Sequence, residues 1–258
     1  MRFAALICLA FAGCGGGGGA PPSDPLPAPV DAVGVFSGSI SYRYAPEMTA
    51  YAGGGFMISD GETALGGWRS TSSGLVLDYR YSRIGNNTSG PLVLRGYQRT
   101  QRCSGPESGS VVDNTSFDVG GFVLTNESTG QECRGGFGPF TYLPAFSEFP
   151  ATSIADLAGS YASTLGPSNS KGGFDVSGNR FTVTISATGI FTLNSCSGSV
   201  ALVDQRKGVA RVIEVQASCG NATASPIEGL LAFDGSELLV YLVQPGSHHF
   251  WSGTLQRL

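Results

Sequence analysis

The chain has 258 residues, is 13% charged with a formal net charge of −4, and carries 39 glycines against two histidines. That length accommodates one large β domain or two small ones. With no basic excess there is no electrostatic footprint for nucleic acid or for anionic lipid head groups, and the surface must be built from Ser, Thr, Asn, Gln and Gly.

The N-terminus carries one basic residue, Arg2, and then an apolar run from Phe3 to Ala12. Small residues, Ala12-Gly13, stand directly before Cys14. A basic start, a short apolar stretch and a small-residue cut site make a secretory signal peptide, and the stretch is too short for a spanning helix. Phe11-Ala12-Gly13-Cys14 resembles the lipobox of bacterial lipoproteins, with Phe where Leu is usual. The resemblance implies cleavage after residue 13 and attachment of acyl chains, palmitate among them, to Cys14. Several buried acyl chains hold a protein on a bilayer where one does not. An ordinary cleaved signal with Cys14 incidental is the other reading. Gly15–Gly19 then reads as a flexible tether, and the proline-rich Ala20–Val30 as a stiffer spacer. Gly15 in place of Asp favours the outer membrane over the inner, again by resemblance.

From residue 32 onward apolar residues alternate, the mark of strands with one wet face. Val35–Tyr44 sets Ile40, Tyr42 and Tyr44 on one face. Gly55–Asp60 runs into an Asp60-Gly61 turn and Thr63–Trp68 leaves it. Leu75–Tyr81 places Leu75, Leu77, Tyr79 and Tyr81 together, and Phe122–Leu124 and Phe137–Tyr142 are later strands. The Pro/Phe-rich Phe140–Pro150 reads as a junction, dividing a first β unit at 32–150 from a second at 151–258.

Beyond it, Ser153–Leu157 is a single helical turn capped by Ser153. Thr182–Leu193 is a hairpin turning at Thr188-Gly189; Arg211–Ala217, Gly229–Phe233 and Leu238–Val243 follow, the last two joined by Asp234-Gly235. Phe250–Leu258 closes the chain. The expected class is all-β: an antiparallel up-and-down β-barrel, or two tandem small barrel or sandwich units. Two echoes speak for two units. Gly34-Val35-Phe36-Ser37-Gly38 is matched by Gly159-Ser160-Tyr161-Ala162-Ser163, and Ile58-Ser59-Asp60-Gly61 by Ile185–Gly189. Chance likeness between Gly/Ser-rich strands explains them as well. Leu157–Tyr161 (LAGSY), Cys196-Ser197-Gly198, Cys219 and Gly229–Phe233 (GLLAF) resemble a loose pattern in envelope lipoproteins without established activity. Over roughly residues 157–258 that resemblance implies a small β-barrel with a cross-strand disulfide.

Six cysteines are present: Cys8 leaves with the signal, Cys14 takes lipid, and Cys103, Cys133, Cys196 and Cys219 remain. An even set in an exported chain reads as disulfides. Three pairings are possible, and Cys103–Cys133 with Cys196–Cys219 keeps each bond inside one half. No C-x₂-C spacing supports zinc.

Chemistry is sparse. There is no G-x-S-x-G elbow and no phosphate-binding loop between a strand and a helix. The adjacent His248 and His249 point to opposite faces if on a strand. They form either a hairpin shoulder or, with a neighbouring carboxylate, part of a metal site. Asp60 with Glu62, and Asp234 with Glu237, straddle turns; they read as solvent-facing turn residues rather than a glycosidase pair. Trp68, Tyr79, Tyr81, Tyr241, Phe250 and Trp251 either line a barrel mouth for an apolar or sugar ligand or fill a core. No catalytic residue, metal or cofactor is implied. The leading expectation is a non-catalytic envelope lipoprotein, anchored by Cys14, that binds a protein partner or small ligand; the alternative is an envelope hydrolase or carbohydrate-active enzyme whose site carries no motif.

Overall fold

The computed structural model describes residues 32–44, 49–69, 74–96, 102–112, 116–118, 120–164, 172–194, 196–204, 207–216 and 226–258. The signal segment, Cys14, the Gly/Pro linker and Cys219 lie outside them.

The first barrel comprises β1 (Val33–Tyr44), β2 (Thr49–Asp60), β3 (Thr63–Arg69), β4 (Gly74–Arg80), β5 (Ser82–Ile84), β6 (Asn87–Gly96), β7 (Arg102–Val112), β8 (Ser116–Asp118), β9 (Gly121–Asn126), β10 (Glu132–Phe137) and β11 (Phe140–Tyr142). Its ring is β1-β2-β3-β4-β6-β7-β9-β10, eight antiparallel strands closed where Ile40 to Tyr44 of β1 pair with Phe137 to Cys133 of β10. The short β5, β8 and β11 extend the strands beside them across breaks at Tyr81, Gly120 and Gly138-Pro139. A four-residue helix, α1 (Pro144–Ser147), and a 3₁₀ turn at Ile154–Leu157 connect to the second barrel.

That barrel comprises β12 (Gly159–Ala162), β13 (Phe174–Asp175), β14 (Thr182–Ile185), β15 (Ile190–Leu193), β16 (Cys196–Asp204), β17 (Val209–Gln216), β18 (Glu228–Phe233), β19 (Glu237–Val243) and β20 (Phe250–Arg257). Consecutive strands pair from β14 to β20, and β12 closes the ring on both β14 and β20, again with eight strands. The protein is therefore nearly all β, two up-and-down barrels in tandem. The sequence echoes fall at matching places: Gly34–Gly38 and Gly159–Ser163 open the first strand of each barrel, and Ile58–Gly61 and Ile185–Gly189 lead out of the second.

Alternation decides what fills each barrel. Leu75, Leu77, Tyr79 and Tyr81 all point inward and are buried. With them, Trp68, Phe122, Phe137 and Phe140 form a packed aromatic interior, ring centroids 5.0–5.6 Å apart. Gly38 makes this possible, since a Cβ there would stand 2.2 Å from the Phe140 ring. The second barrel is filled likewise by Tyr161, Val183, Ile185, Phe191, Leu193, Leu231, Phe233, Leu238, Val240 and Leu242. Its helical turn sits under the opening of β12, where the Tyr161 hydroxyl donates to the Leu157 carbonyl at 2.6 Å.

A disulfide joins Cys103 on β7 to Cys133 on β10, Cα atoms 6.4 Å apart, spanning the intervening β9 inside the first barrel. Cys196 is also disulfide-bonded. The Cys103–Cys133 bond closes a 30-residue separation, so removing it restores loop entropy to the unfolded chain. Cys103→Ala with Cys133→Ala is expected to lower stability by about 3 kcal/mol, seen as a lower urea midpoint than the oxidised wild type. A midpoint unchanged by the substitution would mean that the ring holds without its cross-link.

Candidate functional site at the junction of the barrels

Strands β18 and β19 are apolar on both faces. Leu231, Leu238, Val240 and Leu242 face into their own barrel, while Leu230, Ala232, Leu239, Tyr241 and Val243 face out. The outward set meets Val35, Ile58, Leu65 and Val76 of the first barrel, with Phe174, Val209 and Phe250 completing the cluster. Two sheets thus pack face to face, as in a sandwich, each sheet being the wall of a barrel. The barrels approach closely at Gly67: a Cβ there would lie 2.3 Å from Ser252 Oγ and 2.7 Å from Tyr241 Cε1. Burial raises the Tyr241 pKa, and the backbone at Gly67 and Phe56 opposes that shift.

Charged side chains border this apolar seam. On β4, Asp78 and Arg80 point outward, away from the aromatic interior. Asp78 Oδ1 accepts from Arg80 Nε at 3.0 Å, and Oδ2 from Arg95 Nη1 at 3.3 Å. Arg95 is 1% exposed and also donates from Nε to the Ser247 carbonyl of the second barrel at 3.1 Å. Arg80 reaches across to Glu228 on β18, Nη1 to Oε2 at 2.6 Å. In the opposite direction, Arg211 on β17 pairs with Asp60 at the end of β2. Lys207 Nζ donates to the Val33 carbonyl at 2.9 Å.

Where the sheets splay, Arg80, Arg211 and Glu228 border a cleft of about 320 Å³. Its lining is Leu65 and Thr63 from β3, Arg80, and from the second barrel Arg211, Pro226 and the start of β18. A second depression of about 330 Å³ lies beyond Arg211, between Asp60, Glu62 and residues 201–203.

The residues singled out from sequence fall variously around this junction. Trp68, Tyr79 and Tyr81 fill the first barrel, and Trp251 packs against the core of the second. Tyr241 and Phe250 lie between the barrels, not at a mouth. Glu62 faces solvent as expected, but Asp60 does not: it is 8% exposed. Its Oδ1 accepts from the Glu62 and Thr63 amides at 3.0 and 2.7 Å, and Arg211 of the second barrel covers it. Turn chemistry put the aspartate there, and packing of the barrels buried it. Asp234 keeps to turn chemistry, its Oδ1 accepting from the Ser236 and Glu237 amides at 2.9 and 2.7 Å. Nothing in the sequence marked Arg80, Arg95, Arg211 or Glu228, because the contacts that give them meaning span 148 residues or more, or link a strand to a distant turn.

The two histidines occupy the shoulder of the β19–β20 hairpin. His249 is exposed; His248 is half-buried against the first barrel. Among the described residues His248 Nδ1 is buried without a hydrogen-bond partner, as is Arg102 Nε. Burial, then Arg102, hold the His248 pKa below its usual 6.5; Arg95 and His249 act the same way and Glu127 opposes them. The folded state therefore prefers the neutral ring. Stability is fully present above the unfolded value near 6.5 and is lost as the pH falls from there through the lower folded value. The urea midpoint is expected to drop between pH 7 and pH 5, and His248→Gln to flatten that part of the profile. An unchanged slope in the variant would assign the drop to other groups.

No protein-family model matches the chain, and no curated protein matches it. Among solved structures, a crystal structure of a protein of unknown function from the DUF3598 family of Nostoc punctiforme aligns over 88% of this chain and 96% of its own, at 11% identity and a TM-score of 0.27. An alignment at that level carries no argument about this protein.

Proposed function

We propose that the protein is a lipid-anchored binding protein of the bacterial envelope, held at the outer membrane through Cys14, with its two-barrel body acting as a rigid, non-catalytic recognition platform. The observation that carries the binding reading is the packed interior of both barrels beside an open, charged cleft between them. Side chains occupy the space in which a barrel carrier would hold its ligand, and ring closure leaves little free edge for strand addition. Recognition then falls to the outer surface, and concave sites favour the meeting of two folded units. The carboxylates at the cleft are engaged by arginines in cross-barrel pairs, an arrangement suited to orienting a guest. A general acid–base pair would instead need a carboxylate free to exchange its proton.

Supporting the anchor are the lipobox-like Phe11–Cys14 and the tether after it, and the disulfide bonding of Cys103, Cys133 and Cys196, which suits an oxidising compartment. Two measurements test the proposal separately. Labelled palmitate should enter the wild-type chain expressed in a bacterial host and not Cys14→Ser, which should also leave the membrane fraction; equal labelling of both would remove the anchor. Native mass spectrometry of the protein extracted from its envelope should show mass that denaturation releases. A chain that instead turns over envelope glycans or esters in vitro would reverse the non-catalytic reading.

A further inference from the structure

We infer that the inter-barrel cleft is a site for a small zwitterion with an apolar body, of the size and chemistry of an apolar amino acid or dipeptide. The inference rests on the binding reading and gives it a ligand class.

Charge bookkeeping narrows the guest. Two ion pairs cross the seam, Arg80–Glu228 and Arg211–Asp60, while Asp78 holds Arg80 and Arg95 on the side of the first barrel. The cleft itself is lined by charges of both signs, Arg80 and Arg211 on one hand and Glu228 on the other, and a zwitterion has an end for each. Donors remain for its carboxylate. A guanidinium has five N–H groups. Arg80 spends Nε on Asp78 and Nη1 on Glu228, and Arg211 spends Nη2 on Asp60. Among the described residues no partner takes Arg80 Nη2 or the remaining nitrogens of Arg211, and both side chains line the cleft.

The cationic end has Glu228. Its side chain is 38% exposed, and its partner Arg80 is 39% exposed and also held by Asp78. Glu228 can turn from Arg80 towards an ammonium without stranding a buried charge, since half-exposed pairs are worth little. Asp60 is differently placed, side chain 1% exposed under Arg211, and serves to fix that arginine. Between the charged walls lie Leu65 and Leu230, each 1% exposed as residues of the seam yet bordering the cleft. They offer an apolar floor, and about 320 Å³ is at the small end of ligand sites.

The test uses the protein extracted from a bacterial envelope in mild detergent, with alanyl-leucine as the probe in titration calorimetry. Alanyl-leucine should bind, and N-acetyl-alanyl-leucine and alanyl-leucine amide should each bind roughly tenfold or more weakly, as expected when one charge-assisted contact is lost. Glu228→Gln should reduce discrimination against the acetylated probe and Arg80→Gln against the amide. Both positions are half-exposed, and circular dichroism checks that the variants fold. Equal binding of the three probes, or inorganic phosphate binding as well as the dipeptide, would overturn the inference. So would no binding by wild type; a different ligand found by native mass spectrometry would then leave the binding proposal standing, and a bare mass would remove its support as well.

Discussion

Tyr241→Ala is expected to destabilise the whole chain by about 3–5 kcal/mol, the range for truncating a large buried aromatic, although Tyr241 lies in neither barrel's interior. Its ring fills the space opposite Gly67, and its hydroxyl is buried beside the backbone at Gly67 and Phe56. Tyr241→Phe isolates the hydroxyl: it keeps the ring and should cost no more than about 1 kcal/mol. Gly67→Val attacks the same contact from the other barrel, since no position for a Cβ exists there without moving Tyr241 or Ser252; overpacking of this kind costs about 1–3 kcal/mol. The two sites should be coupled. In the Tyr241→Ala background the Gly67→Val penalty should shrink, because one of the two obstructing groups is gone. Urea denaturation followed by tyrosine and tryptophan fluorescence reads wild type and the four variants. If the seam couples the barrels, wild type unfolds in one transition and the destabilised variants in two, the barrels parting first. Additive penalties and a Tyr241→Ala cost below about 1 kcal/mol would mean that the barrels fold as independent units.

Much of the architecture is legible from alternation alone. Leu75–Tyr81 reads as a strand with an aromatic-aliphatic inner face and is one, and the hairpin at Thr182–Leu193 turns where Thr188-Gly189 says it should. Other strands are silent in the sequence. Arg102–Val112 (RCSGPESGSVV) has the composition of a loop, yet forms β7 because the ring supplies a partner on either side. Pro91 and Pro106 even stand opposite each other in the β6–β7 ladder, a pairing that local propensity argues against. Closure, a property of the whole ring, overrides what these residues prefer singly.

The candidate site was less legible, for a physical reason. Leu238–Val243 (LLVYLV) reads correctly as a strand, but its continuous apolar character also carries a second message: both faces are covered. One face is explained by the barrel interior, and the other implies a second sheet against it. Periodicity locates such a face without naming what covers it. The arginines and carboxylates of the junction have no periodic signature at all. Arg211 and Arg80 look like ordinary wet-face residues of β17 and β4, and only the docking of the barrels turns them towards Asp60 and Glu228.

The cost of disturbing that charge network should depend on burial far more than on distance. Arg95 is 1% exposed and Asp78 4%, whereas Arg80 and Glu228 are more than a third exposed at the side chain. Desolvation pulls the Arg95 pKa down and Asp78 pulls it back up; Arg102 and Arg80 add to the downward side. Asp78→Asn removes the one carboxylate beside Arg95 among the described residues and leaves a buried guanidinium facing two others, so a loss of about 3–5 kcal/mol is expected. Arg80→Gln, which leaves the Arg95–Asp78 pair intact, should cost no more than about 1 kcal/mol. The double variant Asp78→Leu with Arg95→Met replaces the buried pair by apolar groups and should recover most of the Asp78→Asn loss, giving up chiefly the bond from Arg95 to the Ser247 carbonyl. Urea midpoints at neutral pH and moderate salt measure each. An Asp78→Asn cost as small as that of Arg80→Gln would show that water reaches Arg95, and that the seam between the barrels is looser than its packing implies.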